Sequence, residues 1–196
     1  MRLWLWLVAL SAACQTAEPP PKLLITELPL RNLKPADIRD TFQEGRGDRG
    51  SHEAIDILAP KGTPVHAVAD GTIEKLFFSK NGGITVYHFD IAREHAFYYA
   101  HLDRYAEGLK EKQAVKAGDL LGYVGVTGNA PPDTPHLHFT IFQLGPEKQW
   151  WKGTAINPYP LLLALAQKGR GGPTWVLLWH NRSRAWYSTL TPMARL

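Results

Sequence analysis

The stretch from His136 to Phe139 constrains the fold of this chain more than any other. Its two histidines alternate with apolar residues, and the alternation continues through Ile141. This pattern predicts a β-strand, in which residues two apart point to the same face of the sheet. The sequence therefore places the imidazoles of His136 and His138 side by side on one rigid surface.

The segment Asn81-Gly82-Gly83 predicts a tight hairpin, because it separates two apolar runs at 73–78 and 84–89. Other short strand-like runs follow one another at close spacing, with glycine and proline at the turns. We therefore expect a mainly β chain built on an antiparallel sheet. One helix is predicted near 158–167, where Pro158 precedes leucines at helical spacing.

Further candidate metal ligands lie upstream of these histidines. His52 and Asp56 are four residues apart, and His101 ends a strand-like run at 98–102. A proline and a glycine soon after Asp56, with β-branched residues around them, favour one extended strand for His52 and Asp56. A catalytic zinc ion takes three nitrogen, sulfur or oxygen ligands from the protein and one water molecule. With His136 and His138, these residues supply three ligands and two further imidazoles.

The residues resemble the lysostaphin/LytM-type zinc metallopeptidases, which cleave peptidoglycan cross-bridges. The family patterns H-x-x-x-D, Y-x-H-L and H-L-H-F occur in family order at 52–56, 99–102 and 136–139. Segments 59–65, 67–73, 115–122 and 125–129 are also similar to the family, so the resemblance covers about residues 40–142. Two departures are visible. Ala54 stands where the family often has glycine, and the connection 130–135 is longer than usual.

The resemblance implies a role for each residue. His52, Asp56 and His138 would ligate one zinc ion per chain, and His101 and His136 would be catalytic histidines that do not bind the metal. It also implies an antiparallel β-sheet domain of the lysostaphin/LytM type, a duplicated hybrid motif, with a short C-terminal helix. These roles agree with the chemistry of amide hydrolysis. Zinc makes hydroxide available near neutral pH, and imidazoles can transfer protons or stabilise an oxyanion. Which imidazole is the base stays open at this point.

Glu53 provides an alternative, because His52-Glu53 begins like the H-E-x-x-H helix of thermolysin-type enzymes. In that helix the glutamate is the general base, but position 56 here holds aspartate instead of the second histidine. In a strand, Glu53 would also point away from the metal. We expect Glu53 to be a solvated or salt-bridged residue without a catalytic role.

Of the other four histidines, His66 and His180 have no partner motif. His88 and His95 fall in the predicted hairpin region and are expected at surface or cross-strand positions. Of these two, His95 is expected nearer the active-site cleft, because it leads into the strand that carries His101.

The N-terminus predicts export. Residues 1–13 have an arginine, an apolar core and a small-residue end, as in a signal peptide, and the only cysteine, Cys14, follows at once. This arrangement resembles a bacterial lipoprotein signal, in which that cysteine is lipidated. We assign residues 14–35 to a tether and N-terminal extension, 36–160 to the metallopeptidase domain, and 161–196 to the helix and a tail without an assigned role.

We therefore expect an exported zinc endopeptidase of the periplasm or cell envelope, monomeric and anchored to the bacterial membrane through Cys14. Its substrates would be peptidoglycan peptides, cut as D,D or glycyl bonds. The net charge of +4 suits anionic wall polymers, and no basic helix or stacking platform predicts nucleic-acid binding. Two alternatives stay open: a non-catalytic wall-binding protein or amidase activator, and an endopeptidase for extracellular proteins. The five filled positions favour an enzyme.

Overall fold

The structure, a computed structural model, describes residues 23, 25–45, 47 and 50–168, and the backbone alone of 176–180 and 185–189. The elements in chain order are a 3₁₀ turn (Pro35–Asp37), β1 (Ile55–Leu58), β2 (Pro64–His66), β3 (Gly71–Ser79), β4 (Gly83–Asp90), β5 (His95–Tyr105), β6 (Ala114–Val115), β7 (Leu120–Val124), β8 (His136–Leu144), β9 (Gly153–Ile156), α1 (Tyr159–Lys168), β10 (Val176–His180) and β11 (Ala185–Thr189).

Strands β1 to β9 form one antiparallel sheet with the central order β1-β8-β5-β4-β3-β6. Strand β8 pairs with β1 along its first half and with β9 along its second half. Strands β10 and β11 form a separate two-stranded sheet. The predicted antiparallel β fold is confirmed, and α1 lies within one residue of the predicted helix. None of the helices in the described part of the chain is long and apolar enough to span a membrane.

Strands β3 and β4 form the predicted hairpin around Asn81 and Gly82. Gly83 has a φ of 65°, and a Cβ atom there would lie 2.2 Å from the hydroxyl oxygen of Thr127. Glycine is therefore required both for the backbone conformation and for the close approach. This packing brings the segment 125–129 against the hairpin turn.

The two faces of β8 have different environments. Leu137, Phe139 and Ile141 are fully buried in the main hydrophobic core, as their alternation predicts. His136 and His138 therefore lie on the opposite face of the strand, together with Thr140. The same core is completed by residues outside the sheet: Leu23, Ile25 and Leu30 near the N-terminus, Ile38 and Phe42 after the 3₁₀ turn, and Leu161, Leu162 and Ala166 of α1.

The structure places His66, His88 and His95 in strands of the large sheet. His95 begins β5 and contacts Asp90, with 2.8 Å between its Nδ1 and a carboxylate oxygen. It lies six residues before His101, about 20 Å away along an extended strand, and it is not among the residues that line the cleft. His88 is fully buried at a cross-strand position opposite Phe97, and it packs against Phe97 and Tyr99. Of the two positions expected for His88, the cross-strand one is confirmed. His66 is also buried, and the side chain of His180 lies outside the described residues.

The buried environment of His88 disfavours its charged form. Within the described residues its Nε2 has no hydrogen-bond partner, and its Nδ1 lies 3.5 Å from the hydroxyl of Tyr99. Burial lowers the pKa of His88 from 6.5 to about 4, although the charges of Asp90 and Asp70 oppose the shift. In the unfolded chain the same imidazole would titrate near its ordinary value.

Acid is therefore expected to destabilise the fold through His88. The unfolded state binds the proton more readily than the folded state. The contribution of neutral His88 to the free energy of unfolding is therefore fully present above pH 6.5 and is lost as the pH falls toward 4. The loss at pH 4 should be on the order of 3 kcal/mol. Denaturant unfolding at pH 7.5 and pH 4 would show a smaller difference for His88→Gln than for the wild type. Equal differences in the two proteins would contradict this.

Candidate metal centre and active site

The two upstream ligand candidates lie on different local structures. Asp56 is in β1, but β1 begins at Ile55 and His52 lies in the preceding loop. The prediction that one strand carries both residues is therefore wrong. The chain turns at Glu53, whose φ of 55° is uncommon for a residue other than glycine. As a result, Nε2 of His52 lies only 3.1 Å from Oδ1 of Asp56.

Thr41 holds the loop between His52 and Asp56 in place through hydrogen bonds. Its hydroxyl donates to the carbonyl of Ala54 and accepts from the backbone N–H of Asp56, both at 3.1 Å. Its carbonyl lies 3.1 Å from Nδ1 of His52. Because a carbonyl oxygen can only accept a hydrogen bond, Nδ1 of His52 carries a proton there and donates it. In the neutral imidazole, Nε2 then presents a lone pair toward Asp56.

His138 completes a cluster of three potential ligand atoms. It is the register partner of Asp56 across β1 and β8, and its Nδ1 lies 3.0 Å from Oδ1 of Asp56. The same nitrogen is 3.1 Å from Nε2 of His52. Tetrahedral zinc with bonds of about 2.0–2.1 Å separates its ligand atoms by about 3.3 Å. The three side chains are therefore spaced almost as one zinc ion requires, and could hold a metal ion together.

The electrostatics of the cluster also suit a cation. Burial by itself would raise the pKa of Asp56, but the imidazoles of His138 and His52 outweigh it, because they contact the carboxylate and attract it when they are protonated. This pKa therefore lies well below its ordinary value. Asp56 is thus an anion at neutral pH. An imidazole lone pair facing a carboxylate oxygen is favourable only where a positive charge, a proton or a metal ion, lies between them. Two imidazoles and one carboxylate form a donor set that zinc accepts.

His101 reaches the same cluster from β5. Its ring centroid lies 5.5 Å from that of His138 and 4.8 Å from that of His136. Its Nδ1 donates to the carbonyl of Thr127 at 2.8 Å, which leaves Nε2 as the acceptor. Burial, which outweighs the opposing effect of this hydrogen bond, lowers the pKa of His101 to about 4. The imidazole is therefore neutral at physiological pH.

The ring of His136 is oriented in the same way as that of His101, by a hydrogen bond from Nδ1 to a backbone carbonyl. Its Nδ1 donates to the carbonyl of Thr134 at 2.8 Å, and its Nε2 lies 3.8 Å from Oδ1 of Asp56. Thr134 belongs to the connection 130–135. Nε2 of His136 thus faces the cluster, and in His101 the nitrogen that does not contact Thr127 is Nε2.

A cleft of about 230 Å³ opens above the cluster. The side chains of Asp56 and His138 are 23% and 19% exposed, so an incoming substrate can reach them. The residues that line the cleft are Ser51, His52, Asn81, Gly82, Tyr98, His101, Asn129 and His138. Tyr98 packs edge-on against His138 at 5.9 Å between ring centroids, which gives one wall an aromatic surface.

Sequence reasoning missed the three threonines that orient the histidines. Thr41, Thr127 and Thr134 act through backbone carbonyls, and a carbonyl leaves no signature in the residue types of a sequence. Glu53 agrees with its expectation of solvation, because its side chain is exposed. Cys14 and the segment around it lie outside the described residues.

Comparison with known proteins identifies relatives with established names. The chain is 35% identical over 133 residues to the L-Ala–D-Glu endopeptidase of Bacillus subtilis, a match that covers 64% of this chain and 39% of that protein. It is 33% identical over 127 residues to the peptidoglycan DD-endopeptidase ShyC of Vibrio cholerae, covering 64% and 26%. The chain therefore spans less than half the length of either protein.

A solved structure agrees with the sequence matches. The catalytic domain of the antimicrobial peptidase lysostaphin from Staphylococcus simulans superposes with a TM-score of 0.50 at 32% identity, over 59% of this chain and 81% of that one. The profile of peptidase family M23 matches residues 50–158, more than half of the chain. This range contains the three clustered side chains and both neighbouring histidines. The chain belongs to peptidase family M23.

Proposed function

We propose that this protein is an exported zinc-dependent endopeptidase that hydrolyses peptide bonds in peptidoglycan. The convergence of His52 Nε2, Asp56 Oδ1 and His138 Nδ1 at 3.0–3.1 Å, beneath an open cleft, is the observation that carries the proposal. A site built only for wall binding would need neither this donor set nor two oriented imidazoles beside it. The names of the relatives support the same substrate class.

The three clustered side chains would hold one zinc ion. When bound, zinc supplies Lewis acidity, which lowers the pKa of water and polarises a carbonyl group. Asp56 contributes the negative charge of the ligand set, and Thr41 keeps the ring of His52 in the tautomer that offers Nε2. Ligand histidines are commonly oriented by such outer hydrogen bonds.

His101 and His136 would carry the proton transfers. Each has Nδ1 bound to a carbonyl, so each offers Nε2 toward the reacting atoms. Hydrolysis of an amide needs one proton taken from water and one given to the leaving nitrogen. Burial lowers the pKa of His101, so this imidazole enters the reaction uncharged. We propose that one of the two imidazoles accepts the proton from water and that the other stabilises the oxyanion or the leaving amine.

Mass spectrometry of muropeptides tests the proposed function. Purified sacculi with direct cross-links and sacculi with glycine bridges would each be digested with the zinc-loaded protein. New peptide termini within stem or bridge peptides are expected, and their masses identify the bond. If extracellular proteins are digested while the sacculi stay intact, the protein-degrading alternative is favoured. If neither the sacculi nor the proteins are cleaved, a non-catalytic wall-binding protein is favoured.

We also propose that Cys14 anchors the exported protein to a membrane. The apolar run before Cys14 and the small residues next to it support lipidation of this thiol. Acyl chains add about 0.8 kcal/mol of membrane affinity per buried methylene, and two or more chains make anchoring stable. Radiolabelled palmitate is expected to enter the wild type and not Cys14→Ser, and only the wild type should fractionate with membranes. Equal labelling or no labelling of both proteins would reject the anchor.

A further inference from the structure

The backbone of β5 is irregular at His101. The pairing of β4 with β5 shifts between Ile84–Leu102 and Val86–Tyr99, so that one residue of β4 faces two residues of β5. This irregularity is a β-bulge, and His101 lies in it with a φ of 59°, an uncommon conformation for a histidine. Bulges turn a side chain out of its regular direction, and here the turned side chain is the histidine of the cleft.

Thr127 occupies the position beside this bulge. Its hydroxyl accepts the backbone N–H of Ile84 at 2.9 Å and donates to the carbonyl of Leu102 at 2.6 Å. Ile84 and Leu102 are register partners, so the hydroxyl bridges the two strands next to His101. The carbonyl of the same threonine accepts Nδ1–H of His101 at 2.8 Å. One residue therefore contacts both the bulged backbone and the ring.

Close packing limits the freedom of Thr127. A Cβ atom on Gly83 would lie 2.2 Å from its hydroxyl oxygen, and a Cβ atom on Gly128 would lie 2.3 Å from the carbonyl of Asn81. The N–H of Asn129 donates to that same carbonyl at 2.9 Å. The segment around Thr127 is thus held against the hairpin turn, and the carbonyl that meets His101 has little room to move.

We propose that Thr127 is a positioning residue for His101: its hydroxyl holds the bulge, and its carbonyl keeps Nδ1 protonated and Nε2 directed into the cleft. The proposal rests on the proposed function, since it assumes that His101 acts in hydrolysis. Fixing an imidazole by a hydrogen bond to its remote nitrogen selects one tautomer and one ring orientation. A small displacement of a proton-transfer group reduces the rate without weakening substrate binding.

Thr127→Val and Thr127→Ser form the matched pair that tests this role. Valine keeps the shape and removes the hydroxyl, whereas serine keeps the hydroxyl. Thr127→Val is expected to lower kcat by roughly 10- to 100-fold, with KM and zinc content unchanged. Thr127→Ser should retain kcat within a few-fold of the wild type. A Thr127→Val protein that folds, binds zinc and keeps wild-type kcat would overturn the proposal.

A double-variant comparison separates positioning from a general structural effect. If Thr127 acts through His101, Thr127→Val should cause no further loss of activity in a His101→Ala background. If the double variant instead shows the product of the two single-variant losses of activity, the proposal is overturned. His101→Ala alone and the wild type show in the same assay whether the proposed hydrolysis occurs, so a failure of the function is distinguished from a failure of this inference.

Nitrogen NMR of the imidazoles gives a readout that does not need activity. In the zinc-loaded wild type, His101 should show a protonated Nδ1 and an unprotonated Nε2, assigned by their disappearance in His101→Ala. Thr127→Ser should keep this pattern, and Thr127→Val should show mixed tautomers. If Thr127→Val does not fold, the wild-type and Thr127→Ser spectra decide. A protonated Nε2 at His101 in either protein would overturn the proposal.

Discussion

Replacement of Asp56 by alanine is expected to remove both the bound metal and the hydrolytic activity. Oδ1 of Asp56 lies 3.1 Å from Nε2 of His52 and 3.0 Å from Nδ1 of His138, so it is the common neighbour of both nitrogens. Its loss removes the only anionic ligand of the three and leaves two neutral imidazoles. The zinc content after dialysis, measured by elemental analysis, should be one ion per chain in the wild type and near zero in Asp56→Ala. Muropeptide release by Asp56→Ala should fall to background.

The controls for this prediction come from the same cluster and the same loop. His138→Ala should behave like Asp56→Ala, because it also removes one of the three donors. Glu53→Gln lies between His52 and Asp56 in sequence but has an exposed side chain, and it should keep both zinc and activity. Stoichiometric zinc in dialysed Asp56→Ala would show that the metal is held by other residues.

The sheet could be predicted from sequence because its signals are local. The alternation of Leu137, Phe139 and Ile141 follows the period of a strand, and these residues fill the core. Asn81 and Gly82 are typical hairpin residues, and they form the hairpin turn. Such patterns depend on neighbouring residues alone, so a single sequence contains them in full.

The loop at His52 could not be predicted in the same way. The four-residue spacing to Asp56 suits a strand, but the chain instead turns at Glu53 into a conformation that usually belongs to glycine. The cost of that conformation is offset by contacts from distant segments. The N–H of Glu53 donates to the carbonyl of Phe42, and the carbonyl of Glu53 accepts from the hydroxyl of Thr140. Partners far apart in sequence leave no local pattern.

His101 shows the same limit within a correctly predicted strand. The motif Y-x-H-L indicates the residue, but its direction into the cleft depends on a bulge between β4 and β5. The bulge in turn depends on Thr127, which is 26 residues away along the chain. The family pattern therefore predicts which histidines belong to the site, whereas the tautomer of each ring follows from a backbone carbonyl that only the folded chain brings near.

Replacement of His101 or His136 by alanine is expected to abolish most turnover while zinc stays bound. Neither residue belongs to the three-donor cluster, and in each of them Nδ1 donates to a carbonyl, which leaves Nε2 for proton transfer. Loss of a general acid or base costs roughly 10²- to 10⁴-fold in rate. Each variant should therefore show a loss of kcat in that range, with a zinc content equal to that of the wild type.

Glu53→Gln provides the decisive contrast with these two variants. In a thermolysin-like site this glutamate would be the base, so Glu53→Gln would be inactive and His136→Ala would be active. The left-handed turn at Glu53 leaves its side chain exposed, and the residue does not line the cleft. We therefore expect the opposite pattern, with Glu53→Gln active and both histidine variants inactive at full zinc occupancy. Because all three proteins would retain the metal, differences in their muropeptide yields report proton transfer alone.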